Sequence, residues 1–269
     1  VKQFTLSQPV PGYLRAVFDN PPINLLNDDT ITELTELCDT LEHDPSLRVL
    51  VLSAANPDFF MARYDLSPSP RDPTDPFAGL RAFAQATARL SRSDVISVAA
   101  LRGRARGGGN EIALACDLRF ASIENSLLGQ PEVPSGLVPA GGGIERLTRL
   151  VGRARATEII VTGDDYDAVT AERYGWINRA VPDLELDGFV DRMARRIASF
   201  DAVAIAGAKK LIARGRESLE AEVRETISLL PSIAVASPER RARLSARASR
   251  LGSDFELRLG YHLGTEDEG

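Results

Sequence analysis

The chain has 269 residues, 43% of them hydrophobic, and a formal net charge of −6, enough for one large domain or a domain with an appendage. The acidic balance speaks against a dedicated nucleic-acid binder, and no run approaches the roughly 18–20 apolar residues of a membrane helix. VKQFTLSQPV at the start lacks the charged and apolar regions of a signal peptide, so a soluble cytoplasmic protein is expected.

In chain order, Phe4 to Leu6 and Tyr13 to Phe18 read as two strands around a Pro9–Gly12 turn. Ile31, Leu34, Leu37, Cys38 and Leu41 then recur at helical spacing, with Asn27 or Asp28 as the N-cap. Val49 to Leu52 is continuously apolar, as in a strand covered on both faces. Ser53 to Ser69 reads as a loop carrying PDFFMARYDLS, followed by a Pro/Asp-rich stretch to Pro76. Phe77 to Leu90 resumes a helical pattern and Val95 to Leu101 is a second buried strand. Asp117–Ala121 and Leu127-Leu128 read as short strands around a turn at Glu124-Asn125.

Glu145–Leu150, Ala154–Val161 and Ala168–Tyr174 read as short helices separated by glycine. Beyond Val181-Pro182 the strand signal stops, and Val190–Ile197, Ala202–Ile212, Leu219–Leu230 and Arg240–Leu251 are helical patterns. The alternation predicts an α/β core with a mainly parallel sheet and a helical C-terminal portion. Arg240, Arg241, Arg243, Arg247 and Arg250 form a basic stretch that suits a solvated helix face, or else a contact with phosphate or another subunit.

The two cysteines, Cys38 and Cys116, have no CxxC partner and are expected as buried free thiols. His43 and His262, the only histidines, lack metal-ligand spacing, so no metal is expected. The chemistry concentrates between Val95 and Val151. Gly107-Gly108-Gly109 and Gly141-Gly142-Gly143 each open onto a helical pattern, and the acids Glu111 and Glu132 lie near them. Free N–H groups at a helix start suit an oxyanion, and two carboxylates beside them can move protons on and off carbon. No GxSxG elbow, GxxxxGK[ST] loop or GxGxxG turn after the first strand is present.

Three segments, GGGNEIALACDLRFAS, GQPEVPSGLVPAGGG and ERLTRLVGRARATEIIVTGDDYDAVTAERYGWINRAVP, occur in an order and spacing that resembles the crotonase superfamily of enoyl-CoA hydratases and isomerases. The likeness spans roughly Phe4 to Ile212. It implies a spiral of ββα units over residues 1–195 and a C-terminal helical region, residues 196–269, that makes the contacts of a homotrimer or hexamer. It also implies an acyl-CoA thioester as substrate, with coenzyme A entering as part of that substrate and no other cofactor.

Residue matching implies two backbone donors for the thioester oxygen: Tyr64, in the FMARYDL loop that answers to the family's FxAGADL, and Gly108. Glu111 and Glu132 match the two glutamates that hydratases use as acid and base around one water. Ala62, Arg63, Asp65, Leu66 and Ala140 match substrate or CoA positions, with adenine contacts expected at Ala62 and Leu66. The chain departs from the family at Arg63-Tyr64 (for Gly-Ala), at Ala140 and Arg106, in one extra residue around Ile123–Asn125, and in its ending.

The leading expectation is a hydro-lyase acting on 2-enoyl-CoA. The alternatives are another crotonase-type reaction, such as double-bond isomerisation, C–C hydrolysis or decarboxylation, and a non-catalytic or RNA-binding scaffold suggested by the RGG-like Arg102–Gly107 segment.

Overall fold

The computed structural model describes residues 2–65, 78–133 and 138–213, together with Ala246 and Arg250. Leu66 with the rest of the stretch to Pro76, Pro134, the helical pattern at 219–230, that at 240–251 apart from Ala246 and Arg250, and the end of the chain lie outside these residues.

The hairpin expected at the start is present. β1 (Phe4–Val10) pairs antiparallel with β2 (Tyr13–Phe18), and its register shifts between Ser7 and Val10, around Pro9. From β2 onward the large sheet is parallel: β2 pairs with β3 (Val49–Ala54), β3 with β5 (Ile96–Leu101), β5 with β7 (Leu118–Ser122), and β7 with β10 (Arg179–Val181). The strands missing from that order build a second sheet. β4 (Phe59–Met61), β6 (Arg104–Arg106), β8 (Leu127–Gly129) and β9 (Asp165–Asp167) lie side by side, the last pair antiparallel.

A repeated unit follows from this order. Each turn of the chain places one strand in the large sheet, the next in the small sheet, and then a helix. β3 and β4 lead to α2 (Ala78–Arg92), β5 and β6 to α3 (Gly108–Ala115), and β7 and β8 to α4 (Gly143–Thr162). This is the ββα spiral.

Burial explains the uninterrupted apolar strands. In β3, Leu50 and Leu52 face the main core, while Val49 and Val51 face a second cluster on the other side of the sheet. In β5 the same alternation sends Ala99 and Leu101 one way, Val98 and Ala100 the other. α6 (Asp183–Ala198) covers that second face through Leu186, Val190 and Ala194, spaced four apart on one stripe. α1 (Asp28–His43) buries Ile31, Leu34, Leu37, Cys38 and Leu41; its N-cap is Asn27, in a capping box with Thr30. Both cysteines are buried and free.

Five local readings change. Phe59–Met61 is a strand rather than part of a loop. Arg104–Arg106 and Asp165–Asp167 are strands the pattern did not mark, and Arg179–Val181 is the edge of the large sheet. α6 starts at Asp183, seven residues before the helical pattern at Val190. α4 keeps the expected division, since Gly152 at φ 78° interrupts its helical backbone. α5 (Ala168–Tyr174) and α7 (Ala202–Ile212) lie where their patterns place them. Among the described residues, no helix is long and apolar enough to cross a membrane.

Candidate active site

The site forms where α3 begins. Gly107 is its N-cap and Gly108 its first residue, so the Gly108 N–H belongs to the first turn, which has no intrahelical acceptor. The segment after β4 runs directly beside it. Gly109 N–H donates to Ala62 C=O (3.1 Å), and a Cβ on Gly109 would sit 1.9 Å from the Met61 carbonyl oxygen. Only glycine permits that approach.

The other side of this segment is tied to residues 24–26. Ala62 N–H donates to Asn24 C=O (2.9 Å), Leu26 N–H to Arg63 C=O (3.1 Å) and Asp65 N–H to Leu26 C=O (2.7 Å). In this parallel bridge the Arg63 carbonyl and the Asp65 N–H point toward Leu26, so the Tyr64 N–H points away from it, as alternation along an extended chain requires. A Cβ on Gly108 would lie 3.6 Å from the Tyr64 nitrogen. The two proposed donors are therefore neighbours. The Tyr64 side chain is buried and fixed at its far end, its hydroxyl donating to Asp28 Oδ1 (2.5 Å) at the start of α1.

Glu111 stands one turn into α3 and is 3% exposed. Its Oε1 accepts from Gly141 N–H (2.7 Å) and Gly143 N–H (2.9 Å). The amides of the second glycine cluster thus hold a carboxylate of the protein itself, at the start of α4, which is a favourable end of a helix for negative charge. Glycine is needed there as well. A Cβ on Gly141 would meet Phe83 Cε1 at 2.2 Å and Glu111 Oε2 at 2.8 Å. The Gly141 carbonyl is held in turn by Arg146 Nη1 (2.7 Å) and the Thr87 hydroxyl (2.8 Å). Burial pushes the Glu111 carboxyl up to about 7, with the Gly143 N–H opposing that rise and the nearby Glu132 charge adding to it.

Glu132 follows β8. Its Oε1 accepts from Gln130 Nε2 (2.9 Å), and its Oε2 is buried with no hydrogen-bond partner. Burial raises its carboxyl too, opposed by its own backbone N–H and by Gln130. A cavity of about 100 Å³ is lined by both glutamates together with Arg63, Tyr64, Gly107, Gly108 and Ala140. The unpaired Oε2 belongs to a glutamate that lines this cavity, and a buried carboxylate oxygen without a partner is a place for water or substrate.

Most of the residues singled out in the sequence therefore meet at one cavity. Ala62 lies just behind it, its N–H and C=O both bonded within the protein, and Asp65 is held through Leu26. Arg106 points elsewhere, paired with Asp165 (Nε to Oδ1 2.7 Å) across the small sheet. Arg102 pairs with Asp183 and Arg104 stacks over Phe59, so the RGG-like arginines serve strand and helix contacts. Ile123–Asn125 lie in the turn between β7 and β8, where Asn125 N–H donates to Ser122 Oγ (3.1 Å). A wider groove of about 870 Å³ runs past Arg48, Arg192, Arg195 and Arg196, away from both glutamates.

The enoyl-CoA hydratase/isomerase family pattern matches residues 14–240. The chain belongs to this family. The short-chain-enoyl-CoA hydratase of Clostridium acetobutylicum is 35% identical over 213 residues, 77% of this chain and 80% of the relative. The crystal structure of an enoyl-CoA hydratase from Bacillus anthracis superimposes with a TM-score of 0.84 at 25% identity, over 93% of this chain and 96% of that one. A Thermobifida fusca protein crystallised in complex with CoA gives 0.79 at 27% identity, over 87% and 93%. Within the family's α/β fold, the residues that sequence reasoning missed are Gln130, Asn110 and Trp176. Nothing local marks them, because they meet only through the fold.

Proposed function

We propose that the protein is an enoyl-CoA hydratase-type hydro-lyase that adds water across the double bond of a 2-enoyl-CoA. The observation that carries this reading is the single cavity shared by the buried Glu111, the half-buried Glu132 and the adjacent backbones of Tyr64 and Gly108. The thioester oxygen would accept from the Tyr64 and Gly108 N–H groups. One glutamate takes a proton from a water held between the pair, and the oxygen of that water bonds to the β-carbon. The electron pair of the double bond moves onto the thioester oxygen as an enolate. The other glutamate protonates the α-carbon on the same face, a syn addition. Each donor to the enolate contributes about 3–4 kcal/mol of transition-state stabilisation.

Burial raises both carboxyls, and the charge on Glu132 adds to the rise at Glu111, which sets the two apart as an acid and a base require. Ala62, Arg63, Asp65, Leu66 and Ala140 are assigned to the CoA and acyl path, and the region at 196–269 to the contacts of a homotrimer or hexamer, which light scattering reads. Crotonyl-CoA and longer 2-enoyl-CoAs should lose the absorbance of the conjugated thioester when mixed with the protein, and Glu132→Gln should slow the loss by about 10²–10⁴-fold. No turnover at any chain length rejects the reading.

A second reaction on the same enolate has one observation in its favour. Arg63 lines the cavity, its Cβ 3.5 Å from where a Cβ on Gly107 would stand, and a cation there suits an acyl group with a polar or anionic end. Isomerisation, C–C hydrolysis and decarboxylation are separated from hydration by a panel of 3-enoyl, β-keto and malonyl-type thioesters.

A further inference from the structure

Trp176, Asn110 and Gln130 are each fully buried, and they form one line of hydrogen bonds that ends on Glu132. The Trp176 Nε1–H donates to Asn110 Oδ1 (3.1 Å), Asn110 Nδ2 donates to Gln130 Oε1 (2.5 Å), and Gln130 Nε2 donates to Glu132 Oε1 (2.9 Å). An indole N–H can only donate. Its presence therefore sets the direction of every amide after it. Asn110 must turn its oxygen to Trp176 and its nitrogen to Gln130; Gln130 must then turn its oxygen to Asn110 and its nitrogen to Glu132. A flipped Gln130 would oppose N–H to N–H at Asn110 and an amide oxygen to a carboxylate at Glu132.

We propose that Trp176, Asn110 and Gln130 are positioning residues for Glu132, a relay that commits Oε1 to an accepted hydrogen bond and leaves Oε2 as the oxygen that exchanges protons in the cavity. The assignment of that oxygen rests on the hydratase reading; the relay itself does not. Oε2 is buried and unpartnered, while Oε1 is occupied. Trp176 does not line the cavity. It lies between α5 and β10, its ring 5.8 Å from that of Tyr166. A remote aromatic residue thereby decides which amide atom faces an acid in the site.

The sign of the effect follows from the donor. A hydrogen bond given to the carboxylate favours its charged form and offsets part of the rise that burial imposes. Among the described residues, the other titratable or charged groups that line the cavity with Glu132 are Glu111 of α3 and Arg63 and Tyr64 of the segment after β4, with Arg146 of α4 beyond Glu111. Neutral substitutions along the relay leave all of these in place.

The test uses Gln130→Leu, Asn110→Leu and Trp176→Phe, each checked for native circular dichroism. The Glu132 carboxyl is titrated by infrared difference spectroscopy of the free protein, with Glu132→Gln identifying its band. Gln130→Leu should move the titration to higher pH by about one unit. Asn110→Leu and Trp176→Phe should move it the same way by a smaller amount. The midpoint of the bell-shaped pH profile of kcat/KM should rise in the same order. A shift in Gln130→Leu with none in the two remote variants overturns the relay, and so does the absence of any shift. If one remote variant does not fold, the other decides. Lack of enoyl-CoA turnover by the wild-type protein, with the titrations shifted as described, would remove the hydratase reading and leave the relay standing.

Discussion

Glu111 is a carboxyl almost wholly out of water whose Oε1 is held by two backbone N–H groups, and burial still lifts it to about 7 from an ordinary value of 4.5. A folded state that holds this proton more tightly than the unfolded chain gains stability at low pH and loses it as pH rises through about 7. The size of that loss is on the order of 3 kcal/mol. The thermal stability of the wild type should therefore fall between pH 5 and pH 8 more than that of Glu111→Gln, whose amide does not titrate; parallel curves would contradict the burial argument. Glu111→Gln and Glu132→Gln should each lower turnover by about 10²–10⁴-fold, the usual contribution of a positioned acid or base. Gly141→Ala should inactivate by a different route. Its Cβ collides with Phe83 and reaches Glu111 Oε2, so the acid is displaced although no catalytic group is removed. Normal activity in Gly141→Ala would mean that the second glycine cluster does not hold Glu111 in solution.

At the scale of elements, the site is the meeting of two helix starts. Gly108 at the start of α3 lines the cavity, and the start of α4 supplies two N–H groups to Glu111. The glycine clusters and both acids were legible in the sequence, because glycine beside a helical pattern marks a helix start. What the amides of the second cluster face was not legible, since that depends on packing α4 against α3. The three-residue strands of the small sheet were also hidden: at that length neither alternation nor a run of apolar residues can show. The relay is hidden for another reason, Asn110 and Trp176 being 66 residues apart. Helix ends can be tested more simply. Asn27 closes a capping box at α1, so Asn27→Ala should cost about 1 kcal/mol in denaturant unfolding. Arg106→Ala breaks a half-exposed pair with Asp165 and should change stability by less than about 1 kcal/mol, with turnover unaffected. A loss of turnover there would place Arg106 on the substrate path instead.

Across the whole molecule, the spiral explains how residues so far apart share one cavity. Each ββα turn advances the chain along the large sheet, so the segment after β4, the start of α3 and the segment after β8 are stacked side by side. The long apolar strands β3 and β5, legible from their unbroken hydrophobic runs, fix that stacking by packing on both faces. The proposed hydration requires that Tyr64 and Gly108 together grip one thioester oxygen. It is tested most directly by isotope-edited infrared spectroscopy of crotonyl-CoA, labelled at the thioester carbonyl and bound to Glu132→Gln to slow turnover. Two aligned N–H donors should move the carbonyl band to lower frequency than in water. A band left at its aqueous position, with CoA thioester demonstrably bound, would contradict the account.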